Sequence, residues 1–358
     1  MSKKKIVATF SRGIAKKNEI KKCLKVEKIL LNPSDNTAVD YVVGWGRKPN
    51  TVKPRAYAKK NNLVFYSLEQ GFLHSMGQEV LGYNSLSLVK DKQGIYYDAT
   101  RTSDLEDMLS SVDEDKFSQE LIDRAQKAIK RIIQSNISKY NNGSLHFDDS
   151  LFDSAKIVLI IDQIAGDMSL KYGYVNTSTF DDMMQAALKE NPYAQIVVKT
   201  HPDVITGRKK GCINLQEKHH RVTVISENIN PLVLLRKVDA VYVATSQMGF
   251  EALMLGKRVI CFGIPFYAGW GLTEDRANKD LPVWQRRNKE RSLEEVFTAA
   301  YIHYSLYLDP NLNEPCDLED IISHFEKQFA SGRQTQIINK NNRINWFSRL
   351  VQKINQLF

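Results

Sequence analysis

The chain has 358 residues, of which 42% are hydrophobic and 25% charged, and these values are ordinary for a soluble globular protein of two domains. No apolar run is long enough to span a membrane, which argues against an integral membrane protein. The net charge of +9 suits a phosphate-bearing partner, but no zinc spacing, RRM-like aromatic motif or helix-turn-helix pattern points to nucleic acid.

Short apolar runs alternate with helical segments in the first third of the chain. The runs are KIVATF, VDYVVGWG and NLVFYSLEQG, and residues 51–61 between the last two suit a helix. This alternation predicts parallel βαβ units. The apolar spacing over residues 118–133 predicts a longer helix, and the Asn-, Ser- and Asp-rich residues 135–150 after it suit a linker.

The alternation restarts after this linker. The predicted strands KIVLIID, AQIVVKT, RVTVIS, AVYVATS and RVICFG are separated by helices, one of which ends at Gly256. We therefore predict a GT-B fold with two Rossmann-like domains facing a cleft, plus C-terminal helices. The predicted parts are an N-terminal domain 1–140, a linker 141–152, a nucleotide-binding domain 153–330 with terminal helices, and a tail 331–358.

The tail is basic and amphipathic. In RINWFSRLVQKINQLF, the apolar residues fall on one helical face and Arg349 and Lys353 lie off it. Two interpretations stay open: the helix packs on the protein body or a partner subunit, or it lies on an anionic inner membrane. The four cysteines are scattered with no CxxC pair, which predicts reduced thiols in a cytoplasmic protein.

Polar residues follow two predicted strands of the second domain. Gln163 ends the first strand and Asp167 follows it after a glycine, in a loop that suits chemistry better than simple helix capping. Lys199 and His201 end the next strand in the sequence KTHP. The carboxyl ends of parallel strands meet at one edge of a sheet, so these groups are predicted to share a ligand site.

A third strand of this domain ends in TSQMGFE, where a helix begins. The hydroxyls of Thr245 and Ser246, with Gln247 beside them, sit where helix amides bind phosphate, and Glu251 suits ribose hydroxyls. Plain N-capping by the two hydroxyls is the alternative.

The early strands end in groups predicted to face that edge across the cleft. Glu69 follows the strand NLVFYS, while Arg12, Arg47 and Lys48 end the two strands before it. The three cations are placed to meet a carboxylate or a phosphate, and each alone suits a solvated surface equally well.

Several of these stretches together resemble the KpsC-type family of capsule polysaccharide proteins, which are bacterial β-Kdo transferases. The matching stretches run in order from residue 10 to residue 276: FSRGI, VVGWGRKP, LEQGFLHS, SLSLV, GIYYDATRTSDLE, SKYN, IDQIAGDMSLKYG, VKTHPDV, VYVATSQMGFEAL and PFYAGWGLTEDR. The residues beyond about 330 are not covered.

The resemblance implies a GT-B enzyme that takes Kdo from CMP-β-Kdo and transfers it, with retention, to a sugar or glycolipid acceptor. It matches Asp167 to the family's nucleophile and His201 to its HP motif, with Lys199 and His201 contacting the CMP phosphate or the Kdo carboxylate. Tyr267 of PFYAGWG is also predicted to bind substrate. No cofactor and no metal are expected, because the leaving group bears a single phosphate and no DxD motif is present.

One departure from the family pattern concerns the acceptor side. Most of the family has Glu-Asp-Gly where this chain has Glu69-Gln70-Gly71, and His74 stands where Arg is usual. Because Gln cannot act as a base, two outcomes follow: the acceptor specificity has shifted, or the base is Glu69, which is the assignment we favour. Two alternatives are a transferase for another CMP-sugar, such as a sialic acid, and a non-catalytic scaffold in capsule assembly. We expect a cytoplasmic location, with attachment to the inner membrane if the tail binds lipid.

Overall fold

The structure is a computed structural model, and it describes residues 5–77, 83–200, 204, 209–213 and 219–332. Within those ranges, no helix combines the length and the apolar character that crossing a membrane requires. The predicted tail helix and His201 both lie outside the described residues.

The first sheet has seven strands in the order β13-β12-β5-β4-β3-β1-β2. Strands β1 to β4 run parallel to one another, and β5, β12 and β13 continue the sheet in antiparallel pairs. Its strands are β1 Ile6–Thr9, β2 Lys28–Leu31, β3 Tyr41–Trp45, β4 Phe65–Gln70, β5 Ser87–Asp91, β12 Ser305–Leu308 and β13 Pro315–Cys316.

The second sheet has six strands in the order β11-β10-β9-β6-β7-β8, all parallel. Its central strands are wholly buried, which explains their continuous apolar runs. Its strands are β6 Ile157–Ile161, β7 Gln195–Lys199, β8 Val222–Ile225, β9 Ala240–Val243, β10 Arg258–Cys261 and β11 Glu274–Asp275.

The helices connect and cover the two sheets. They are α1 Arg12–Lys16, α2 Asn18–Cys23, α3 Val52–Lys60, α4 Asp104–Ser110, α5 Gln119–Gln134, α6 Met168–Tyr172, α7 Thr179–Glu190, α8 Pro231–Arg236, α9 Met248–Met254, α10 Val283–Arg286, α11 Leu293–Phe297 and α12 Leu318–Ala330. Local chemistry sets several ends: Asn230 caps α8 through the backbone N–H of Leu232, and Gly256 follows α9 with a φ of +68°. The helices predicted near 51–61 and 118–133 are confirmed as α3 and α5.

The end of the described chain returns to the first sheet. Strand β12 pairs with β5, and α12 packs on α5 through the ion pairs Arg124–Glu319 and Arg131–Glu326. This differs from the predicted division, which placed all of 153–330 with the second domain. Strand β12 joins the first sheet because β5 would otherwise be an edge strand with an unpaired row of backbone N–H and C=O groups.

The predicted linker is built into the junction between the domains. Asn141 is fully buried, and its side chain bonds to the backbone of Ser75 and of Ser138. Nearby, Ser144 exchanges backbone hydrogen bonds with Asn228 and Asn230 of the second domain. The polar side chains of this segment therefore form hydrogen bonds with buried backbone groups, and the segment is not simply a solvated linker.

Candidate active site

Asp167 lies in the loop that leaves the central strand of the second sheet. The loop turns at Gly166, whose φ is +86°, and no atom lies close to the position a Cβ would occupy there. Asp167 is exposed, and its Oδ1 caps α6 by accepting from the backbone N–H of Ser169 at 2.8 Å. One carboxylate oxygen is thus held by the helix start while the residue stays accessible.

Glu69 lies inside β4 rather than after it, at the carboxyl edge of the first sheet. Its Oε1 accepts from the backbone N–H of Gln70 at 3.1 Å. Burial raises the pKa of Glu69, the charges of Lys139 and Lys48 oppose that rise, and the charge of Asp167 adds to it. The structure therefore brings the two predicted carboxylates into one electrostatic environment, although they come from different sheets.

The junction beside Glu69 contains a second buried carboxylate, Glu251. It is 2% exposed, and its Oε1 accepts from the Ser138 hydroxyl at 2.6 Å and from the backbone N–H of Lys139 at 3.4 Å. Burial raises the pKa of Glu251 to about 7, against the lowering effect of these hydrogen bonds and of the Lys139 charge. The ribose role expected for Glu251 stays a prediction.

Gln70, where the resemblance leads us to expect an acid, forms a hydrogen bond across the junction. The Tyr140 hydroxyl donates to Gln70 Oε1 at 2.5 Å. His74, on the same segment of the first domain, is buried and packs edge-on against the Tyr140 ring.

Gln163 and Thr245 form a linked pair at the carboxyl edge of the second sheet. The backbone N–H of Thr245 donates to Gln163 Oε1 at 2.8 Å, and Gln163 Nε2 donates to Thr245 Oγ1 at 3.0 Å. Ser246 Oγ accepts from the backbone N–H of Met248 at 3.2 Å, while Gln247 occupies the N-cap position of α9 and its side chain forms no capping bond. Gln163, which follows β6, therefore lies beside Thr245 and Ser246, which precede α9.

The side chains of Gln247 and Tyr267 both donate hydrogen bonds to backbone carbonyls. Gln247 Nε2 donates to the carbonyl of Phe72 at 2.8 Å, which ties α9 to the first domain. The Tyr267 side chain is completely buried, and its hydroxyl donates to the carbonyl of Ser246 at 2.5 Å. The Tyr267 side chain therefore supports the Ser246 turn, and its predicted contact with the substrate stays a prediction.

Lys199 is buried at the end of β7. Its Nζ donates to the carbonyl of Thr200 at 2.8 Å, and burial lowers the pKa of Lys199 to about 8, with the charge of Glu227 opposing the fall. The ammonium group thus forms one hydrogen bond within the protein, and the contact of Lys199 with the CMP phosphate or the Kdo carboxylate stays a prediction.

The cations of the first domain occupy different environments. Arg47 forms an ion pair with Asp98 at 2.9 Å, and its guanidinium lies 4.8 Å from the centre of the Tyr172 ring. Lys48 is exposed over Trp45, and Arg12 is exposed in the first turn of α1. Of the three, Lys48 is the one whose charge acts on Glu69.

Three further residues of this site had no predicted role: Lys139, Tyr96 and Tyr97. Burial raises the pKa of both tyrosines, and the charges of Glu69 and Asp167 add to the rise. The Tyr97 hydroxyl accepts from the backbone N–H of Arg47 at 2.9 Å. These residues lie in GIYYDAT and SKYN, two of the stretches that resemble the KpsC-type family. That resemblance was the sequence signal that could have identified them as site residues.

Among the residues that the structure describes, no group of three or more His, Cys, Asp or Glu side chains is arranged to hold a metal ion. The expectation that the reaction needs no metal stays a prediction.

Two Rossmann-like sheets, with polar groups gathered between their carboxyl edges, define a GT-B fold. The model for "capsule polysaccharide biosynthesis protein" matches residues 40–307, and the chain belongs to this family.

Two curated proteins that are similar to this chain are named for capsule polysaccharide modification and for lipopolysaccharide processing. The chain is 46% identical over 294 residues to the capsule polysaccharide modification protein LipA of Neisseria meningitidis serogroup B, covering 81% of this chain and 42% of LipA. It is 36% identical over 267 residues to the lipopolysaccharide-processing protein LpsZ of Rhizobium meliloti, covering 74% of this chain and 59% of LpsZ. The chain thus spans only part of the length of these relatives.

Two solved structures from Thermosulfurimonas dismutans are similar over nearly their whole length. The KpsC beta Kdo 2,4 transferase superposes with a TM-score of 0.84 at 42% identity, covering 90% of this chain and 98% of that one. The KpsC beta Kdo 2,7 transferase superposes with a TM-score of 0.64 at 27% identity, covering 90% and 99%.

Proposed function

We propose that this chain is a retaining β-Kdo transferase that moves Kdo from CMP-β-Kdo to a sugar or glycolipid acceptor in capsule or related surface polysaccharide synthesis. The observation that carries the proposal is that Asp167 and Glu69, at the carboxyl edges of different sheets, lie near enough for the charge of Asp167 to add to the raised pKa of Glu69. The similarity to both KpsC transferases supports the sugar, and the greater similarity to the 2,4 enzyme favours that linkage.

Asp167 is the nucleophile of the first step. Its free carboxylate oxygen attacks the anomeric carbon of Kdo, the bond from that carbon to the phosphate oxygen breaks, and CMP leaves with the electron pair. The product is a glycosyl ester on Asp167. The exposed position of this side chain and its anchoring through Oδ1 to α6 support the assignment.

Glu69 is the base of the second step. The acceptor hydroxyl attacks the anomeric carbon from the opposite face, Glu69 takes the hydroxyl proton, and Asp167 is released as a carboxylate. Two inversions give net retention. The raised pKa of Glu69 supports this role, since a carboxylate with a higher pKa is a stronger base. Gln70 has no basic oxygen to offer, and Tyr140 already occupies its amide oxygen.

The donor side is proposed from the second sheet. Thr245 and Ser246 before α9, with Gln163 beside them, would lie against the CMP phosphate. His201 of the HP motif would contact the phosphate or the Kdo carboxylate. Lys199, at the end of β7, would contact the same phosphate or the Kdo carboxylate. For the tail, residues 331–358, two proposals stay open: packing on the protein body or a partner subunit, and attachment to the inner membrane.

The transfer assay uses CMP-Kdo generated in place and Kdo-bearing glycolipid acceptors. We expect the Asp167→Asn variant to lose on the order of 10³-fold or more in rate, and Asp181→Asn, an exposed aspartate on α7, to remain active. NMR of the product would distinguish a 2,4 from a 2,7 linkage. Full activity of Asp167→Asn would refute the nucleophile, transfer from CMP-sialic acid alone would refute the sugar, and no transfer by the wild type to any acceptor would favour the scaffold.

A further inference from the structure

Asp162 is a buried carboxylate directly after β6, where the chain leaves the second sheet. Its residue is 4% exposed, and its Oδ1 accepts from the backbone N–H groups of Gln163 at 2.9 Å, Cys212 at 2.9 Å and Ile213 at 3.0 Å. The last two donors belong to segment 209–213, which is distant in sequence. One carboxylate therefore joins two separate parts of the chain.

The same segment also pairs with the backbone of the loop that leads to Asp167. The backbone N–H of Ala165 donates to the carbonyl of Lys210 at 2.9 Å, and the backbone N–H of Cys212 donates to the carbonyl of Gln163 at 3.1 Å. The two stretches run antiparallel where they meet. A displacement of the segment would therefore displace the loop with it.

The loop ends in a tight turn immediately before the proposed nucleophile. The backbone N–H of Asp167 donates to the carbonyl of Ile164 at 3.2 Å, and Gly166 has a φ of +86° at the third position of this turn. Ala165, the residue bonded to segment 209–213, is the second position of the turn. The position of Asp167 is thus tied to that segment through two residues of backbone.

Gly211 lets the segment approach Asp162 closely. A Cβ at Gly211 would lie 2.2 Å from Asp162 Oδ2 and 3.3 Å from Cγ1 of Val204. Real atoms do not approach a carboxylate oxygen so closely, so the position needs a residue without a side chain. Both oxygens of Asp162 therefore face segment 209–213, one through hydrogen bonds and the other through packing.

We infer that Asp162 is a positioning residue of the proposed transferase, whose carboxylate holds segment 209–213 against the loop 163–167 and so fixes Asp167 for attack. It acts through the backbone of these two stretches rather than on the sugar. The inference rests on the proposed function for the role of Asp167, whereas the link between the two stretches can be tested without turnover.

The first test is the rate at which the ester on Asp167 forms. Intact-mass spectrometry after rapid mixing with CMP-Kdo measures it in the Glu69→Gln variant, where the second step is slowed. We expect Asp162→Ala to slow ester formation by about 100-fold in that background, because a misplacement of about 1 Å at a reacting group has an effect of this size. Asp162→Asn keeps an oxygen for the three N–H groups and should retain most of the rate.

Asp91 on β5 provides the matched control, because it is also a buried carboxylate that accepts from three backbone N–H groups. The donors are Gln93, Gly94 and Asp104. In the Glu69→Gln background, Asp91→Ala should lower the thermal stability and leave the rate of ester formation unchanged. Equal slowing in Asp91→Ala and Asp162→Ala, or no rescue by Asp162→Asn, would overturn the inference, since general destabilisation would then explain the effect.

The second test is backbone hydrogen exchange, which needs no turnover. Mass spectrometry follows the peptides that span residues 162–167 and 209–213. We expect both to exchange about tenfold faster in Asp162→Ala than in the wild type and to be unaffected in Asp91→Ala, because fewer bonds then oppose local opening. Gly211→Ala should act in the same direction, and it serves as the second variant if Asp162→Ala does not fold.

The two tests separate failure of the inference from failure of the proposed function. Unchanged exchange of residues 162–167 in Asp162→Ala would overturn the inference even in an active enzyme. Faster exchange in a chain whose Glu69→Gln variant forms no ester would support the link between the two stretches and refute the proposed function of Asp167.

Discussion

Glu251 is a carboxylate that the fold keeps out of water. Its pKa in the folded chain is raised by burial from 4.5 to about 7. Below pH 4.5 the group is protonated whether the chain is folded or not, so it does not penalise folding. As the pH rises from 4.5 through 7, the unfolded chain ionises first and the folded state loses stability relative to it.

We therefore expect the Glu251→Gln variant to gain stability relative to the wild type as the pH rises from 5 to 8. The limiting gain is on the order of 3 kcal/mol, because each unit of pKa shift is worth about 1.4 kcal/mol. Urea unfolding at the two pH values measures it, with Glu290→Gln, an exposed glutamate, as the control. A difference between Glu251→Gln and wild type that does not change with pH would contradict the buried, raised carboxylate.

The sequence predicted some site residues better than others, and the reason is local. Asp167, Thr245 and Ser246 follow strongly apolar strands, so their placement at a sheet edge follows from periodicity. Lys139 lies in a segment rich in Ser and Asn, which by composition resembles a solvated linker. Its burial depends on the hydrogen bonds of Ser138, Asn141 and His74 across the junction, and such contacts leave no periodic signal.

At the scale of elements, one buried ion pair joins α4 to the loop that carries PFYAGWG. Arg287 is 5% exposed, its Nε donates to Glu106 at 2.9 Å, and its Nη1 donates to the carbonyls of Pro265 and Ala268 at 2.7 and 2.8 Å. Arg286 bonds to the other oxygen of Glu106 at 2.5 Å. One glutamate of the first domain thus fixes a loop of the second, close to Tyr267.

We expect Arg287→Met to destabilise the protein by about 3 kcal/mol, because it leaves one oxygen of the buried Glu106 carboxylate and two carbonyls without their donor, while Arg286 still pairs with the other oxygen. The double variant Glu106→Leu/Arg287→Met should be less destabilised than the sum of the two single variants, since the bond between the two side chains is then lost only once. Urea unfolding of all four proteins measures the coupling. Additive effects would show that the pair does not interact as the geometry requires.

Element prediction succeeded where an element is defined by its own sequence. Strands β6 to β10 of the second sheet and the helices α3 and α5 appear where the apolar spacing placed them, whereas the two-residue edge strand β11 was not predicted. Strand β12 was missed because its residues, Ser305–Leu308, are a strand only through pairing with β5, more than 200 residues earlier. The assignment of 153–330 to one domain followed from that omission, since long-range pairing is invisible to a local pattern.

At the scale of the whole molecule, the two sheets share one core. Phe72, two residues after Gln70, packs against Phe266 at 4.8 Å and Tyr301 at 5.1 Å between ring centroids, and a single cluster of buried residues includes strands of both sheets. The proposed nucleophile and base are thus held on a common framework. The mechanism predicts that they act in sequence, so removing the base should trap what the nucleophile has formed.

The most direct measurement is intact-mass spectrometry of the Glu69→Gln variant incubated with CMP-Kdo and acceptor. Our account predicts a protein heavier by one Kdo residue, with the added mass on the peptide that contains Asp167, and no such species in Glu69→Gln/Asp167→Asn. An adduct on another residue, or undiminished transfer by Glu69→Gln with no adduct, would contradict it.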